Sequence, residues 1–174
     1  VTGVQTCALP IWAKVDERQG VFDEESRSLC SKDYLYLAKK FSARYNLIFF
    51  GEPNFQLPND TFAQKYTCDL RQWGALIKEC DYFVGVDSVG QHMARAVNIP
   101  GTVLFGSTFP INTSYTDHFN IIEKEGTKKY SPIRIAGLDS TLSNRLNESS
   151  MKFTNKELDE IFNQIVSDIE KKVK

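Results

Sequence analysis

The chain has 174 residues, enough for one domain with a buried core and too few for two full domains. Hydrophobic residues make up 41% and charged residues 25%, which is typical of a globular protein, and the net charge of −1 creates no field that favours nucleic acid or an anionic membrane. No apolar run approaches the roughly 20 residues that a membrane-spanning helix needs.

Residues 1–11, VTGVQTCALPI, have neither the basic start nor the small-residue cleavage site of a signal peptide. They resemble instead the translation of a common sequencing adapter fused to the reading frame. We therefore expect an artefact at 1–11 and an authentic chain that begins near Trp12 and belongs to a truncated gene.

The segment between residues 31 and 66 predicts one helix, one strand and one loop. Ser31 or Asp33 is expected to cap the helix, and residues 47–50 form a short apolar run typical of a buried parallel strand. Prolines, asparagines and an aspartate make residues 51–66 a loop with at most one helical turn. The helix is predicted from an apolar stripe at helical spacing: Tyr34, Leu37, Ala38, Phe41 and Tyr45.

The next stretch alternates helix and strand with short connections. Asp69 is expected to cap a helix, a second helix runs from about Ser88 to Asn98, and Pro100 ends it. The first of these helices has its apolar positions at Leu70, Trp73, Leu76, Ile77 and Cys80. Strands are predicted at 82–86, 102–106, 119–122 and 133–135.

The end of the chain holds a linker and a helix. Residues 137–153 are rich in serine, asparagine and glycine without periodicity, whereas Thr154 and Glu157 form a capping box that opens a helix over 154–174. This helix is expected to pack on the sheet of the chain or on a partner domain, through an apolar stripe of Leu158, Ile161, Phe162, Ile165, Ile169 and Val173.

The alternation of strands and helices predicts an α/β domain over 12–136, built on an open, doubly wound parallel sheet. In such sheets ligands bind beyond the carboxyl ends of the strands. One of these ends leads into Asp87 and Ser88 at the start of a helix, where the amides of Val89, Gly90 and Gln91 suit a phosphate or pyrophosphate. Another leads into Gly106, Ser107 and Thr108.

These two motifs, in this order, resemble glycosyltransferase family nine, the lipopolysaccharide heptosyltransferases and their relatives. The family has an aspartate, a serine or threonine and a histidine on one helix, and a strand that ends in Phe-Gly-x-Thr-x-Pro. The similarity covers Leu70 to Pro110 and extends more weakly over 12–123. The matching residues are Asp87, Ser88, His92, Ala94, Arg95, Ala96, Phe105, Gly106, Thr108 and Pro110.

The resemblance implies the Rossmann-like C-terminal domain of a GT-B enzyme, which holds a nucleotide-sugar donor such as ADP-heptose. It implies that Asp87 contacts hydroxyls of the donor sugar and that Ser88, with the amides of 89–91, holds the diphosphate. The same resemblance implies that Thr108 helps to close the donor site and that Lys14, with Arg18 as second choice, supplies the basic residue that neutralises phosphate.

Two departures from the family pattern matter. Val89 stands where the family has glycine, and Gly90 comes one position later, which leaves the donor open. We expect this sequence to lack the acceptor-binding domain, which supplies the catalytic base in this family, so the catalytic residues are unknown. We expect this chain alone to bind the donor and to transfer no sugar to a glycan, lipid-linked or protein acceptor.

Simpler interpretations remain beside these roles. Asp87 and Ser88 are also suited to cap the helix, and His92 is equally consistent with a packed, hydrogen-bonded histidine. The four cysteines, Cys7, Cys30, Cys68 and Cys80, lack metal-ligand spacing, so we expect free thiols, no metal and no cofactor. The expected location is the cytoplasm, with peripheral association with the inner membrane.

Three other functions compete. A sugar-nucleotide epimerase shares the GT-B architecture, and a non-enzymatic nucleotide-binding module would show no preference for sugar nucleotides. A serine hydrolase would use Ser88, but Val86 stands where the nucleophile elbow requires glycine, and His118 is the only candidate base besides His92.

Overall fold

The computed structural model describes residues 6–9, 27–50, 63–66, 69–127, 129 and 150–172. Lys14, Arg18, the predicted strand at 133–135 and nearly all of the predicted linker at 137–153 lie outside these residues. The strands are β1 (Thr6–Leu9), β2 (Asn46–Phe50), β3 (Ala63–Tyr66), β4 (Tyr82–Val86), β5 (Gly101–Phe105) and β6 (Phe119–Glu123). The helices are α1 (Ser31–Ser42), α2 (Leu70–Lys78), α3 (Val89–Ala96), α4 (Pro110–Thr113) and α5 (Asn155–Lys172).

The six strands form one parallel sheet in the order β3-β2-β1-β4-β5-β6. The chain moves outward from β1 to β3, returns to place β4 beside β1, and moves outward again to β6. This topology confirms the predicted open, doubly wound α/β sheet. The reversal between β1 and β4 creates the crevice in which such folds bind ligands.

Two strands were not predicted from the sequence. The interpretation of 51–66 as a loop is wrong at 63–66, because Ala-Gln-Lys-Tyr forms edge strand β3 without a continuous apolar run. Such a strand is held by backbone pairing with β2, which leaves no hydrophobic signal in the sequence. Strand β1 falls within residues 1–11 and occupies the centre of the sheet, while the adapter origin of these residues stays a prediction.

Helix boundaries follow capping in one case and depart from it in another. Asp69 caps α2 as predicted, with its carboxylate accepting the N–H groups of Arg71 and Gln72 at 2.9 Å each. The predicted caps of α1 are wrong, because this helix starts after Cys30. Asp33 is instead buried and accepts the Phe153 N–H at 2.8 Å, which ties α1 to the segment before α5.

Two apolar cores cover the sheet, one on each face. Helices α1 and α5 share the first core with residues of β2 and β4, so the terminal helix packs on the sheet of this chain. Helices α2 and α3 cover the second core, in which Ile77, Phe83 and Phe105 are fully buried. Leu70, predicted to be apolar contact surface, is 62% exposed because it opens α2 ahead of the turns that pack.

Helix α3 ends in a Schellman motif. Asn98 adopts a positive φ of 61°, and the N–H groups of Asn98 and Ile99 donate to the carbonyls of Arg95 and Ala94 at 3.1 and 2.9 Å. The Schellman motif therefore ends α3 just before Asn98, close to the end that the sequence predicts at Asn98 and Pro100. None of the helices that the structure describes is long and apolar enough to cross a bilayer.

Candidate functional site

The site lies at the carboxyl edge of the sheet, the edge at which the parallel strands end, beside the reversal between β1 and β4. Strand β4 is buried along its whole length and delivers Asp87 and Ser88 directly after Val86. Strand β5, equally buried, delivers Gly106, Ser107 and Thr108 next to them. The structure therefore brings the two predicted motifs together at neighbouring strand ends.

The Asp87 carboxylate is the centre of a buried hydrogen-bond network. Only 5% of the residue is exposed, and each carboxylate oxygen accepts one hydrogen bond from a neutral donor. The Gln91 amide donates to Oδ1 at 3.0 Å, and the Thr108 hydroxyl donates to Oδ2 at 2.9 Å. Among the residues that the structure describes, no cation forms an ion pair with this carboxylate. One further acceptor position on each oxygen remains for a ligand hydroxyl.

Gln91 extends this network to α4. Its side chain is fully buried, and its amide oxygen accepts a hydrogen bond from the Ser114 hydroxyl at 2.6 Å. A buried amide is costly unless both its donor and its acceptor are satisfied. The pairing with Asp87 on one side and Ser114 on the other meets this requirement and fixes the orientation of the amide.

Lys129 holds the backbone of the loop that follows β5. Lys129 donates to the carbonyl oxygens of Gly106 at 2.6 Å and Thr108 at 3.3 Å, and it forms an ion pair with Glu123 at 2.9 Å. Thr127 adds a bond to the Gly106 carbonyl at 3.3 Å. These contacts hold the backbone of 106–108 so that the Thr108 hydroxyl reaches Asp87.

Ser88 occupies the N-cap position of α3 but does not cap the helix with its side chain. Its hydroxyl is buried and has no hydrogen-bond partner in the described structure. A buried hydroxyl left without a partner costs free energy, and such a group calls for an explanation in a folded protein. It lies at the helix end whose first N–H groups, those of Val89 and Gly90, have no intrahelical acceptor, whereas the Gln91 N–H donates to the Ser88 carbonyl at 3.3 Å.

His92 and Val89 face outward from α3. The exposed imidazole of His92 lies within 3.1 Å of the Tyr115 hydroxyl through Nδ1 and meets the Tyr115 ring edge-on. The histidine is thus hydrogen-bonded as one interpretation required, but it is exposed rather than packed. Val89 is 46% exposed at the first turn, and Gly90 is buried.

The second histidine, His118, lies at the end of the strands opposite to that of Ser88. His118 immediately precedes β6, so it is placed at the amino edge, and its Nε2 donates to the Ile99 carbonyl at 2.9 Å. Ser88 follows the carboxyl end of β4. The described residues therefore provide no base from His118 for a serine nucleophile at position 88.

Two residues of the network were missed by the sequence analysis. Ser114 contacts Gln91, which lies 23 positions earlier in the chain, and Lys129 contacts Thr108, which lies 21 positions earlier. No periodicity or short motif marks such pairs. The signal that was available is the polar Gln91 on an otherwise apolar side of α3, which required a partner.

The comparisons with known proteins concern the family and the fold. The family model of glycosyltransferase family 9 (heptosyltransferase) matches residues 67–131, which confirms the resemblance and contains every described site residue. No match was found among curated proteins.

Solved structures show the same fold. The glycosyl transferase family 9 protein from Veillonella parvula superposes with a TM-score of 0.66 at 15% identity, over 95% of this chain and 46% of its own. ADP-heptose lps heptosyltransferase II of E. coli superposes with a TM-score of 0.61 at 16% identity, over 95% of this chain and 47% of its own. E. coli heptosyltransferase WaaC with ADP superposes with a TM-score of 0.59 at 12% identity, over 72% of this chain and 39% of its own. The chain thus spans less than half the length of these proteins.

Proposed function

We propose that this chain is the donor-binding half of a glycosyltransferase that uses a nucleoside diphosphate sugar. The observation that carries the proposal is the buried, unpartnered hydroxyl of Ser88 at the start of α3, beside the buried carboxylate of Asp87. A hydroxyl donor, the backbone N–H groups of Val89 and Gly90 and the positive end of a helix dipole together suit a diphosphate. The carboxylate suits the hydroxyls of the attached sugar.

We propose ADP-heptose as the donor. Related solved structures contain ADP in heptosyltransferase WaaC and ADP-D-beta-D-heptose in the glycosyltransferase TibC. The diphosphate would be held by the backbone N–H groups at the start of α3, by Ser88 and by the predicted cation at Lys14. The protein would act in the cytoplasm on a cell-surface glycan precursor.

The test is calorimetric titration of the 174-residue chain with ADP, ADP-heptose and UDP-glucose, repeated with Ser88→Ala. A hydrogen bond to a charged group contributes about 1.5–3 kcal/mol, so the variant should bind ADP about tenfold more weakly or worse. Because the hydroxyl has no partner in the fold, the same variant should keep the Tm of the wild type. Ser42→Ala, which removes an exposed hydroxyl bonded only to the Lys39 carbonyl, is the matched control.

Two results would contradict the proposal. Equal affinity of the wild type for ADP and ADP-heptose would favour a plain nucleotide-binding module. Unchanged ADP affinity in Ser88→Ala would show that the diphosphate does not bind at the start of α3. Asp87→Asn is expected to reduce the preference for ADP-heptose over ADP by about tenfold, because the carboxylate meets the sugar and not the diphosphate.

The isolated chain is expected to transfer no sugar. The catalytic base is expected in an acceptor-binding domain, and the chain spans less than half of its solved relatives. Incubation with radiolabelled ADP-heptose and a lipopolysaccharide-core acceptor should yield hydrolysis at background rate and no labelled acceptor. Labelled acceptor above the no-protein background would overturn this part of the proposal.

A further inference from the structure

One continuous segment, residues 106–114, reaches both oxygens of the Asp87 carboxylate. Thr108, near its start, donates directly to Oδ2 at 2.9 Å. Ser114, at its end, donates to Gln91 at 2.6 Å, and Gln91 donates to Oδ1 at 3.0 Å. The two routes converge on one side chain from opposite ends of the same segment.

The partners of the Gln91 amide fix the orientation of its oxygen and nitrogen. Its oxygen and nitrogen sites are not interchangeable here, because Asp87 only accepts and Ser114 supplies the proton to the amide oxygen. The Gln91 side chain is fully buried, so in the folded protein its amide is satisfied by these two side chains. Without the Ser114 hydroxyl, the amide oxygen is left unsatisfied, and rotation toward another donor would withdraw the N–H from Asp87.

Lys129 gives the segment a fixed base. Its ammonium group is mostly buried and holds the carbonyls of Gly106 and Thr108 while it pairs with Glu123. The backbone that carries Thr108 is thereby fixed independently of α3. The carboxylate of Asp87 is thus held at Oδ2 by Thr108 and at Oδ1 by Gln91.

We infer that Ser114 and Gln91 are positioning residues, which orient the Asp87 carboxylate toward the sugar of the donor. This inference rests on the proposed function, in which Asp87 meets the sugar and α3 meets the diphosphate. We call the hydrogen-bonded chain from Ser114 through Gln91 to Asp87 the relay. Loss of the relay should reduce the discrimination between ADP-heptose and ADP while leaving the affinity for ADP itself unchanged.

The experiment measures Kd for ADP and ADP-heptose by calorimetry in Ser114→Ala, Ser114→Thr and Gln91→Met. We expect the preference for ADP-heptose to fall about fivefold to tenfold in Ser114→Ala and Gln91→Met, with ADP affinity within twofold of wild type. Ser114→Thr keeps the hydroxyl and should restore the preference. Thr113→Val, which removes the neighbouring hydroxyl bonded only to the Phe109 carbonyl at 3.4 Å, is the control and should change neither constant.

An unchanged preference in a folded Ser114→Ala protein would overturn the inference, and so would an equal loss of affinity for both ligands. A wild type without any preference would instead refute the proposed function. In that case NMR of the Gln91 side-chain amide decides the relay by itself. Its protons should exchange slowly in the wild type and faster in Ser114→Ala, and equal exchange in both would overturn the relay.

Discussion

Gly101 shows how a single absent methyl group allows two strands to approach. A Cβ built at this position would lie 2.4 Å from the carbonyl oxygen of Phe83 and 2.8 Å from the Phe83 Cβ. Neither the backbone oxygen nor the buried phenylalanine has room to move, because β4 and β5 are buried along their lengths. The start of β5 therefore requires glycine for reasons of space.

Gly101→Ala should lower the free energy of unfolding by about 2 kcal/mol or more, since overpacking a rigid core typically costs about 1–3 kcal/mol. Gly74→Ala is the matched control. A Cβ there would lie 3.6 Å from the Met93 Cε, in ordinary contact, and alanine favours the helix by up to about 1 kcal/mol. Urea unfolding of both variants gives the comparison, and equal stability of the two would contradict the steric argument.

Cys80 is a buried thiol with little nucleophilic character. Burial, followed by the negative charges of Asp81 and Glu79, raises the pKa of Cys80 from 9.0 to about 12. At pH 8 the thiol is protonated, and it donates to the Leu76 carbonyl at 3.3 Å. Alkylation by iodoacetamide, followed by peptide mass spectrometry, should be slow at Cys80 in the native protein and fast in urea. A native rate near that of the unfolded protein would contradict this expectation.

The predicted positions of the site residues at the strand ends are confirmed, because this part of the prediction follows from the fold. Asp87, Ser88 and Thr108 were found because parallel strands end at one edge, and the structure places them there. Whether they bind a donor stays a prediction. Ser114 and Lys129 could not be found, because a hydrogen bond between residues more than 20 positions apart leaves no local pattern.

At the scale of elements, the start of α5 combines a capping box with an ion pair. Glu157 accepts the Thr154 N–H at 2.7 Å, and its own N–H donates to the Thr154 hydroxyl at 3.3 Å. Lys124, just beyond β6, pairs with the same carboxylate and also lies over the Phe153 ring. The predicted capping box is confirmed, and it joins the helix to the edge of the sheet.

This arrangement predicts a pH dependence of stability. The hydrogen bond from Lys124, followed by those from Thr154, lowers the pKa of Glu157 from 4.5 to about 2. A carboxylate with a lowered pKa in the folded state stabilises the protein above its unfolded pKa, and this contribution is lost as the pH falls from about 4.5 toward 2. The side chain is about one-third exposed, so solvent screening limits the contribution to the order of 1 kcal/mol.

Glu157→Gln should therefore flatten the fall of unfolding free energy between pH 4.5 and 2, as measured by chemical denaturation at several pH values. The control is Glu160→Gln, because the Glu160 carboxylate is largely exposed and lies 3.9 Å from the still more exposed Lys156. Asp159, whose pKa is also lowered, by Lys40 and then Tyr36, is present in both variants. Identical pH profiles for the two variants would rule out a special role for Glu157.

Elements with a strong apolar period were predicted, and elements held by backbone pairing were not. The stripe of α5 is buried at Leu158, Ile161, Ile165 and Ile169, as expected from its spacing. Strand β3 carries no such stripe, and the start of α1 has no side-chain cap to mark it. Neither hydrophobic pattern nor capping chemistry was present at the places where the prediction failed.

At the scale of the whole molecule, α5 is part of the domain and covers the face of the sheet that it shares with α1. Ile165 is fully buried in that core, whereas its neighbour Gln164 is exposed. Truncation of a buried isoleucine to alanine typically costs about 2–5 kcal/mol. Ile165→Ala should lower the unfolding free energy by that amount and Gln164→Ala by less than about 0.5 kcal/mol. A small effect at Ile165 would show that α5 is an accessory helix.

Among the described residues, the strands of the two contiguous halves of the sheet pair with each other only where Cys7 faces Tyr82 and Ala8 faces Phe83, while α5 of the second half packs on α1 of the first. Because β1 and β2 precede β4 in the chain, they can pair before β4 is synthesised, which leaves one edge of β1 unpaired until then. An open strand edge accepts any matching strand, including the second half of another nascent molecule. We therefore expect concentrated refolding to favour an exchange of halves between two molecules at this strand pairing, which would give a swapped dimer.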